Sequence, residues 1–174
     1  MKGRDKFVGG YWNGLICSVA IDMDKSTAKE IELKLKDLKI VNNVGNSNIV
    51  ADADGLGSYL ESYIRNIKTF HGGSQAWDKY KFGILKDECA YKLAELINKR
   101  EIKIICSRQQ EEFIKEEISI CLKSDNLDLD KKKIIKKDKM KELLGRSPDY
   151  LDMLIMRMIF ELKKSIQTIR YKRS

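Results

Sequence analysis

Hydrophobic and polar residues in the first third of the chain alternate in patterns that predict two strands and a helix. Residues 6–12 and 15–22 carry the β-branched and aromatic side chains typical of strands. The Asn-Gly pair at 13–14 predicts a hairpin turn between them, because both residue types tolerate positive φ angles. The Ser-Thr pair at 26–27 can cap a helix over residues 29–38, where apolar side chains recur at helical spacing.

The rest of the chain switches between short apolar runs and longer amphipathic ones. Residues 49–51 form a short apolar run without a polar face, which is typical of a central strand covered on both faces. The later pattern predicts, in order, a helix from 58, a loop at 69–78, a helix at 80–99, a strand at 102–106, a helix at 109–122, a basic edge strand at 132–136 and a buried helix from Ser147-Pro148 to about residue 169. Strands interleaved with helices predict an α/β fold.

Composition indicates one globular domain, residues 1–174, with an uneven distribution of charge. The chain is 43% hydrophobic and 34% charged, a balance typical of a folded domain. Its net charge is +8, yet residues 131–146 alone hold eight basic and two acidic residues, and residues 163–174 hold five basic and no acidic ones. This favours a polyanion partner such as nucleic acid, although a solvated basic tail would have the same composition. The four cysteines form no CxxC pair, which argues against a structural zinc site.

The stretch VADADGLG at residues 50–57 places two carboxylates at the predicted end of an apolar strand. Asp52 and Asp54 offer the oxygen ligands that Mg²⁺ and Mn²⁺ prefer, and the glycines allow close approach of a substrate. In open α/β sheets, ligands bind at the carboxyl ends of strands. An ordinary strand-to-helix turn would have the same residues, so this motif alone does not decide between the two.

The stretch GRSPDYLDM at residues 145–153 carries a second acidic pair. Asp149 and Asp152 lie three residues apart and share a helix face at the start of an otherwise apolar helix. Carboxylates also stabilise a helix N-terminus electrostatically, which is the alternative explanation. A buried helix, however, needs a partner for the charge of Asp152, and a metal ion would be one.

Basic residues surround this acidic pair. The cluster comprises Lys136, Lys137, Lys139, Lys141 and Arg146. Carboxylates that bind metal next to lysines that bind a phosphodiester backbone are what a nuclease needs. A solvated run of charge remains the alternative.

Three segments, in this order, resemble the nuclease domain of phage large terminase subunits. They are VADADGLG, then YKFGILKDECAYKLAELINKREIKI, then IIKKDKMKELLGRSPDYLDMLIMR. The resemblance implies an RNase H-like mixed sheet flanked by helices, and two-metal (Mg²⁺ or Mn²⁺) hydrolysis of double-stranded DNA in the host cytoplasm. It implies that Asp52, Asp152 and Asp149 are catalytic metal ligands, with Asp5 as a secondary acid and Lys137 as the lysine before the last motif. It also implies partners in the packaging motor: an ATPase domain, a small terminase subunit and a portal protein.

One departure from the family pattern affects the expected fold and activity. The family's first catalytic Asp lies on a central first strand, upstream of the position where this sequence starts with Met1-Lys2-Gly3. We therefore expect a sheet that lacks the central first strand, an ATPase domain that is absent, and a metal site that is incomplete unless Asp5 or another chain substitutes. Two alternatives follow: a catalytically incomplete DNA-binding or assembly fragment, and a different RNase H-like enzyme such as a junction resolvase.

Overall fold

The computed structural model describes residues 6–53, 58–121 and 131–162, which form strands and helices in alternation. The strands are β1 (Lys6–Asn13), β2 (Ile16–Asp24), β3 (Val50–Asp52), β4 (Lys68–Phe70) and β5 (Lys103–Ile105). The helices are α1 (Ala28–Val41), α2 (Ser58–Tyr63), α3 (Leu85–Asn98), α4 (Arg108–Cys121), α5 (Lys137–Leu144) and α6 (Asp149–Arg157). None of the helices in these ranges is long and apolar enough to cross a bilayer.

A three-stranded sheet has the order β1-β2-β5, with β1 antiparallel and β5 parallel to β2. Asn13 pairs with Ile16, so the turn between β1 and β2 consists of Gly14 and Leu15, one residue later than predicted. Gly14 has φ +58°. A glycine with positive φ at the first central position is the arrangement of a type II′ hairpin turn.

A second, two-stranded sheet pairs β3 with β4 in parallel. The prediction that residues 49–51 form a fully covered central strand is only partly right, because all three residues of β3 are half-buried and β4 is their one partner strand in the described ranges. The sequence pattern had predicted a helix from residue 58 and a loop at 69–78 in the region where β4 lies. Its three residues are too few for a clear alternation of apolar and polar side chains.

The core has two parts, one on each side of the strands. The larger part surrounds α6, which packs against β1, β3, α3 and α4. The smaller part is formed by Ile31, Leu60, Ile64 and Ile67, from α1, α2 and the segment after α2. A mixed sheet flanked by helices, as the sequence predicted, is therefore confirmed.

The C-terminal elements differ from the prediction in three places. Residues 132–136 form a single bridge, Phe82 to Lys132, in place of an edge strand, and α5 follows directly. α5 ends at Gly145, whose φ of +68° closes the helix in the left-handed conformation.

The predicted N-cap of α6, Ser147, is wrong. Pro148 occupies the N-cap position of α6 without a side-chain hydrogen bond, and the buried Ser147 hydroxyl lacks a hydrogen-bond partner. α6 itself ends at Arg157, and residues 163–169 of the predicted helix lie outside the described ranges.

Candidate functional site

The first turn of α6 carries two carboxylates in fixed positions. The backbone N–H of Lys6 donates to Oδ2 of Asp149 at 2.9 Å, which joins the start of β1 to the start of α6. Asp152 lies three residues further along, still in the first turn, with its side chain 17% exposed. Both acids lie at the positive end of the helix dipole, where negative charge is favoured.

Two lysines from different helices hold the Asp152 carboxylate. Lys86 Nζ lies 2.6 Å from one oxygen and Lys137 Nζ lies 2.7 Å from the other. Burial of the Asp152 carboxyl raises its pKa, but the charges and hydrogen bonds of the two lysines outweigh burial and hold the pKa below the ordinary value. Asp152 is therefore ionised and already neutralised by these counter-ions.

Lys137 marks the point where three carboxylates converge. Burial lowers the pKa of its ammonium, but the negative charges of Asp152, Asp149 and Asp52 outweigh burial and raise that pKa above the ordinary lysine value. Asp52 is the last residue of β3, whereas Asp149 and Asp152 lie on α6. The structure thus brings together the acidic pair of the C-terminal motif and the first acid of VADADGLG.

The three carboxylates line one end of a cleft between the two sheets. The cleft has a volume of about 800 Å³, and Lys6 and Lys137 line it together with the acids. One wall is the edge of β1 and the other is β3, with side chains of α6 and α1 above and below. The carboxyl end of a strand thus faces an open space, as expected of a ligand site in an α/β sheet.

The donor chemistry suits a divalent cation, but the arrangement of side chains is not that of a formed metal centre. Carboxylate oxygens are the ligands that Mg²⁺ and Mn²⁺ prefer. Within residues 6–53, 58–121 and 131–162, however, no three His, Cys, Asp or Glu side chains are grouped closely enough to hold a metal ion. Both oxygens of Asp152 bind ammonium groups. A cation would have to displace at least one of these lysines.

Two predicted metal ligands are not placed by the structure. Asp5 and Asp54 lie outside the described residues, so their part in the site stays a prediction.

The predicted DNA-binding lysines lie on or directly before α5, beside the acidic end of the cleft. Lys136, Lys137 and Lys139 are exposed and Lys141 is half-buried. Lys139 also forms an ion pair with Glu142 at 3.0 Å. Lys137 is the first residue of α5, and its ammonium reaches the carboxylates. The side chains of Lys136 and Lys139 face solvent.

Arg146 differs from these lysines in its surroundings. Its guanidinium forms an ion pair with the buried Glu117, a second one with Glu116 at 3.0 Å, and lies 4.3 Å from the centre of the Phe113 ring. Its predicted contact with DNA stays a prediction, since its side chain here joins α4 to the segment before α6.

The pattern of the sequence did not single out two residues that shape the site. Lys86 lies in the first turn of α3, where a cation opposes the helix dipole, and this misfit is the signal that could have indicated a nearby anion. Glu117 lies in α4 and accepts a hydrogen bond from the backbone N–H of Leu151 at 2.7 Å, in place of the missing side-chain cap of α6. Because α4 carries other glutamates, nothing in the sequence distinguished Glu117 from its neighbours.

The fold is α/β, a mixed sheet flanked by helices in the RNase H-like arrangement. Solved structures with this fold include the nuclease domain of the large terminase subunit gp2 of bacterial virus Sf6, with a TM-score of 0.70, 17% sequence identity, and coverage of 90% of this chain and 84% of that one. A lysine-to-alanine variant of that domain, with manganese and beta-thujaplicinol, has a TM-score of 0.69 and the same identity and coverage. No family model and no curated protein matches the chain. The likeness to terminase nuclease domains inferred from three sequence segments is thus confirmed as a likeness of fold.

Proposed function

We propose that this chain is a metal-dependent endonuclease of a phage DNA-packaging terminase, which hydrolyses double-stranded DNA. The observation that carries the proposal is the convergence of Asp52, Asp149 and Asp152 around Lys137 at one end of the cleft. Neighbours in fold that are nuclease domains, one of them with manganese, support it. In a packaging motor, the partners would be an ATPase domain, a small terminase subunit and a portal protein, in the host cytoplasm.

The three carboxylates are the groups that would hold a divalent cation. A bound cation would lower the pKa of a water molecule and offset the charge of the phosphodiester. The resemblance implies two such ions, with Asp52 at one and Asp152 at the other, and Asp5 and Asp54 are further candidates. The rigid placement of these acids at a strand end and in the first helical turn would orient them before DNA binds.

Lysines on or directly before α5 would hold the DNA backbone next to these acids. Lys136 and Lys139 are exposed, and their charges can neutralise phosphates without reading sequence. Lys137 can exchange a carboxylate for a phosphate oxygen, because its side chain is still 42% exposed. The substrate would then lie across the mouth of the cleft with its scissile phosphate near Asp52 and Asp149.

Plasmid cleavage tests the catalytic part of the proposal. With Mn²⁺ or Mg²⁺ we expect nicking and cutting that stops with a chelator, and we expect Asp52→Asn to reduce the rate by about 10²-fold or more while DNA binding persists. The matched control is Asp37→Asn, an exposed aspartate on α1 that does not line the cleft. Equal cleavage by both variants would contradict the site assignment. Preferential cutting of four-way junctions over linear duplex would favour a junction resolvase.

Salt dependence tests the DNA-binding part. We expect Lys136→Ala to weaken binding at all sequences and to lower the slope of log affinity against log salt by about 1, the amount for one phosphate contact. Lys103→Ala is the control, because Lys103 is exposed on β5 at the far edge of the three-stranded sheet. An unchanged slope in the Lys136 variant would place the DNA elsewhere.

A non-catalytic DNA-binding or assembly role is the second candidate. It is favoured by the two lysines that occupy both oxygens of Asp152 and by the lack of a three-ligand group in the described ranges. DNA binding without cleavage under any metal, and without loss in Asp52→Asn, would establish it in place of the first.

A further inference from the structure

We propose that a surface formed by residues 79–81 and 131–133 binds single-stranded DNA, with the ring of Tyr80 stacked on an unpaired base. This Tyr80 surface lies outside the acidic cleft, since none of its residues lines the cleft. Binding of an unpaired strand goes beyond the duplex cleavage proposed above and does not rest on it.

Tyr80 is far more exposed than the other aromatic residues of its loop. The residue is 78% exposed, whereas Trp77 and Phe82 are half-buried. Burial of an aromatic ring stabilises a fold, so a ring left in water contributes little to the stability of this one. A tyrosine offers a large, flat contact area with few rotatable bonds. The ring of Tyr80 is therefore available for stacking on a flat partner.

The backbone that carries Tyr80 is held in place by two carboxylates. Glu88, only 8% exposed, accepts hydrogen bonds from the N–H groups of Trp77 at 2.6 Å and Asp78 at 3.2 Å. Asp78 in turn accepts from the N–H groups of Tyr80 at 3.3 Å and Lys81 at 3.2 Å. These bonds fix the loop before a strand binds, which lowers the entropy cost of binding.

Lysines from two segments surround this tyrosine. The Lys132 N–H donates to the Lys81 carbonyl at 2.8 Å, which places residues 131–133 beside the loop. The lysines of the Tyr80 surface are all exposed, namely Lys79, Lys81, Lys131, Lys132 and Lys133. In the described part of the chain, Lys81 pairs with Asp78 at 3.1 Å, and Lys133 lies within electrostatic reach of the buried Asp87. The remaining excess of positive charge favours a polyanion.

An exposed ring next to ammonium groups is the arrangement that binds a single strand. Lys79 Nζ lies 5.6 Å from the centre of the Tyr80 ring, so a phosphate at the ammonium and a base on the ring can belong to one strand. Inside a duplex, neighbouring base pairs cover the base faces. Stacking on Tyr80 therefore requires an unpaired base.

An extended segment connects the Tyr80 surface to the acidic end of the cleft. Residues 133–136 form neither helix nor strand and lead to Lys137, which binds Asp152 at 2.7 Å. The five residues from Lys132 to Lys137 span at most roughly 18 Å, which corresponds to about five nucleotides of a stacked strand. A strand on the Tyr80 surface can therefore be continuous with DNA at the acidic end.

Fluorescence anisotropy with a labelled oligonucleotide tests the stacking. The probe is oligothymidylate of about twelve nucleotides, titrated with the full chain in the presence of a chelator so that no cleavage occurs. We expect Tyr80→Ala to weaken binding about tenfold, the amount for one stacked base, and Tyr80→Phe to leave it unchanged because the ring is retained. Tyr63→Ala is the matched control, since Tyr63 is a 49% exposed tyrosine on α2.

Two further ligands separate stacking from charge. An abasic sugar-phosphate strand of the same length has no base, so Tyr80→Ala should leave its affinity unchanged. A duplex of that length should lose less than about twofold in the same variant, because its base faces are covered except at the ends.

Salt dependence tests the contribution of the lysines. We expect Lys79→Ala to lower the slope of log affinity for oligothymidylate against log salt by about 0.7, the amount for one phosphate of a single strand. Lys103→Ala, which removes an exposed lysine of β5, is the control. An unchanged slope in the Lys79 variant would contradict the phosphate contact beside Tyr80.

Several results would overturn the proposal. No binding of oligothymidylate, or an unchanged affinity in Tyr80→Ala, would show that this surface does not bind the strand. Equal losses for oligothymidylate and the abasic strand would show that the ring does not stack on a base. A loss in Tyr80→Phe as large as in Tyr80→Ala would assign the contact to the hydroxyl group.

Two other results would assign the Tyr80 surface to a different nucleic acid. A loss for the duplex as large as for oligothymidylate would assign it to double-stranded DNA. Tighter binding of oligouridylate than of oligothymidylate, with the same dependence on Tyr80, would assign it to RNA. None of these readouts uses cleavage, so failure of the nuclease proposal would leave them unaffected.

Discussion

The position of the first turn of α6, which carries Asp149 and Asp152, depends on the buried carboxylate of Glu117. One of its oxygens accepts from the Leu151 N–H at 2.7 Å, and the other binds the guanidinium of Arg146. α6 has no side-chain cap of its own, so Glu117 supplies that hydrogen bond from α4. Glu117 acts through α6 and touches neither the cleft nor its carboxylates, which makes it a positioning residue.

Replacing Glu117 should therefore cost far more stability than replacing its neighbour. Glu117→Ala leaves Arg146 half-buried without its main partner, and we expect a loss of about 3–5 kcal/mol in unfolding free energy. Glu116→Ala removes an ion pair of a 59% exposed side chain with the same Arg146, and we expect about 1 kcal/mol or less. Urea denaturation of both variants measures the difference. Similar losses would mean that the Leu151 cap contributes little.

Sequence reasoning singled out the acidic pair and Lys137, but it did not single out Lys86, which also binds Asp152, or Glu117, which binds the backbone of α6. Asp149 and Asp152 were evident because charge in an apolar helix needs a partner. Lys86 and Glu117 were not, since Lys86 meets Asp152 across 66 positions and Glu117 meets Leu151 across 34. Hydrophobic periodicity reports which face of an element is buried, and it carries no information about which distant charge lies opposite.

β1 and α6 approach each other closely where β1 has no side chain. A β carbon at Gly10 would lie 2.5 Å from Sδ of Met153 and 3.1 Å from Sγ of Cys17. The register of β1 on β2 also shifts between Gly9 and Gly10. The bulge and the glycine together allow the helix that carries Asp149 and Asp152 to lie directly on the strand.

A methyl group at this contact should destabilise the fold. We expect Gly10→Ala to lower the unfolding free energy by about 1–3 kcal/mol through overpacking against Met153. Gly73→Ala is the control, because its added carbon meets nothing within 4 Å and its φ is not positive. Thermal unfolding of the pair measures the effect. A loss as small as that of the control would show that Met153 moves aside without strain.

Element types were predictable where a pattern ran long enough and were missed where it did not. The hairpin, α1, α3 and α4 followed from alternation, capping residues and helical spacing. β4 spans only three residues, and α5 follows a lysine-rich run in which charge obscures the spacing of Met140 and Leu144. Packing against the rest of the molecule, and not local propensity, decides such short segments.

Across the whole molecule, Asp22 connects strands and helices that are distant in sequence. Its carboxylate accepts hydrogen bonds from Tyr150 of α6 at 2.6 Å, Gln110 of α4 at 2.8 Å and Lys6 of β1 at 3.2 Å. Burial raises the pKa of Asp22, but these hydrogen bonds outweigh burial and hold the pKa below the ordinary value of 3.8. Four elements thus depend on one ionised group.

The acid stability of the fold should reflect this group. A lowered pKa means that Asp22 contributes stability above the unfolded value of 3.8, and that this contribution is lost as pH falls through the lower folded value. We expect the difference in unfolding free energy between the original chain and Asp22→Asn to be constant from about pH 5 to 7 and to shrink below about pH 4. Urea denaturation from pH 2 to 7 measures it. A pH-independent difference would assign the loss to packing alone.

Under the proposed function, the paired ammonium groups on Asp152 predict that DNA and a divalent cation assist each other's binding in the cleft. A DNA phosphate that draws Lys137 away exposes a carboxylate oxygen to a cation, and a cation that takes Asp152 releases Lys137 to phosphate. Thermodynamic linkage makes this benefit reciprocal, so we expect Ca²⁺ to tighten DNA binding by the same factor, about 5-fold or more, by which DNA tightens Ca²⁺ binding. Lys137→Ala should abolish the mutual effect. In the nuclease proposed above, the resting domain would then bind free metal weakly and acquire its ions together with DNA, which would protect other nucleic acid from cleavage.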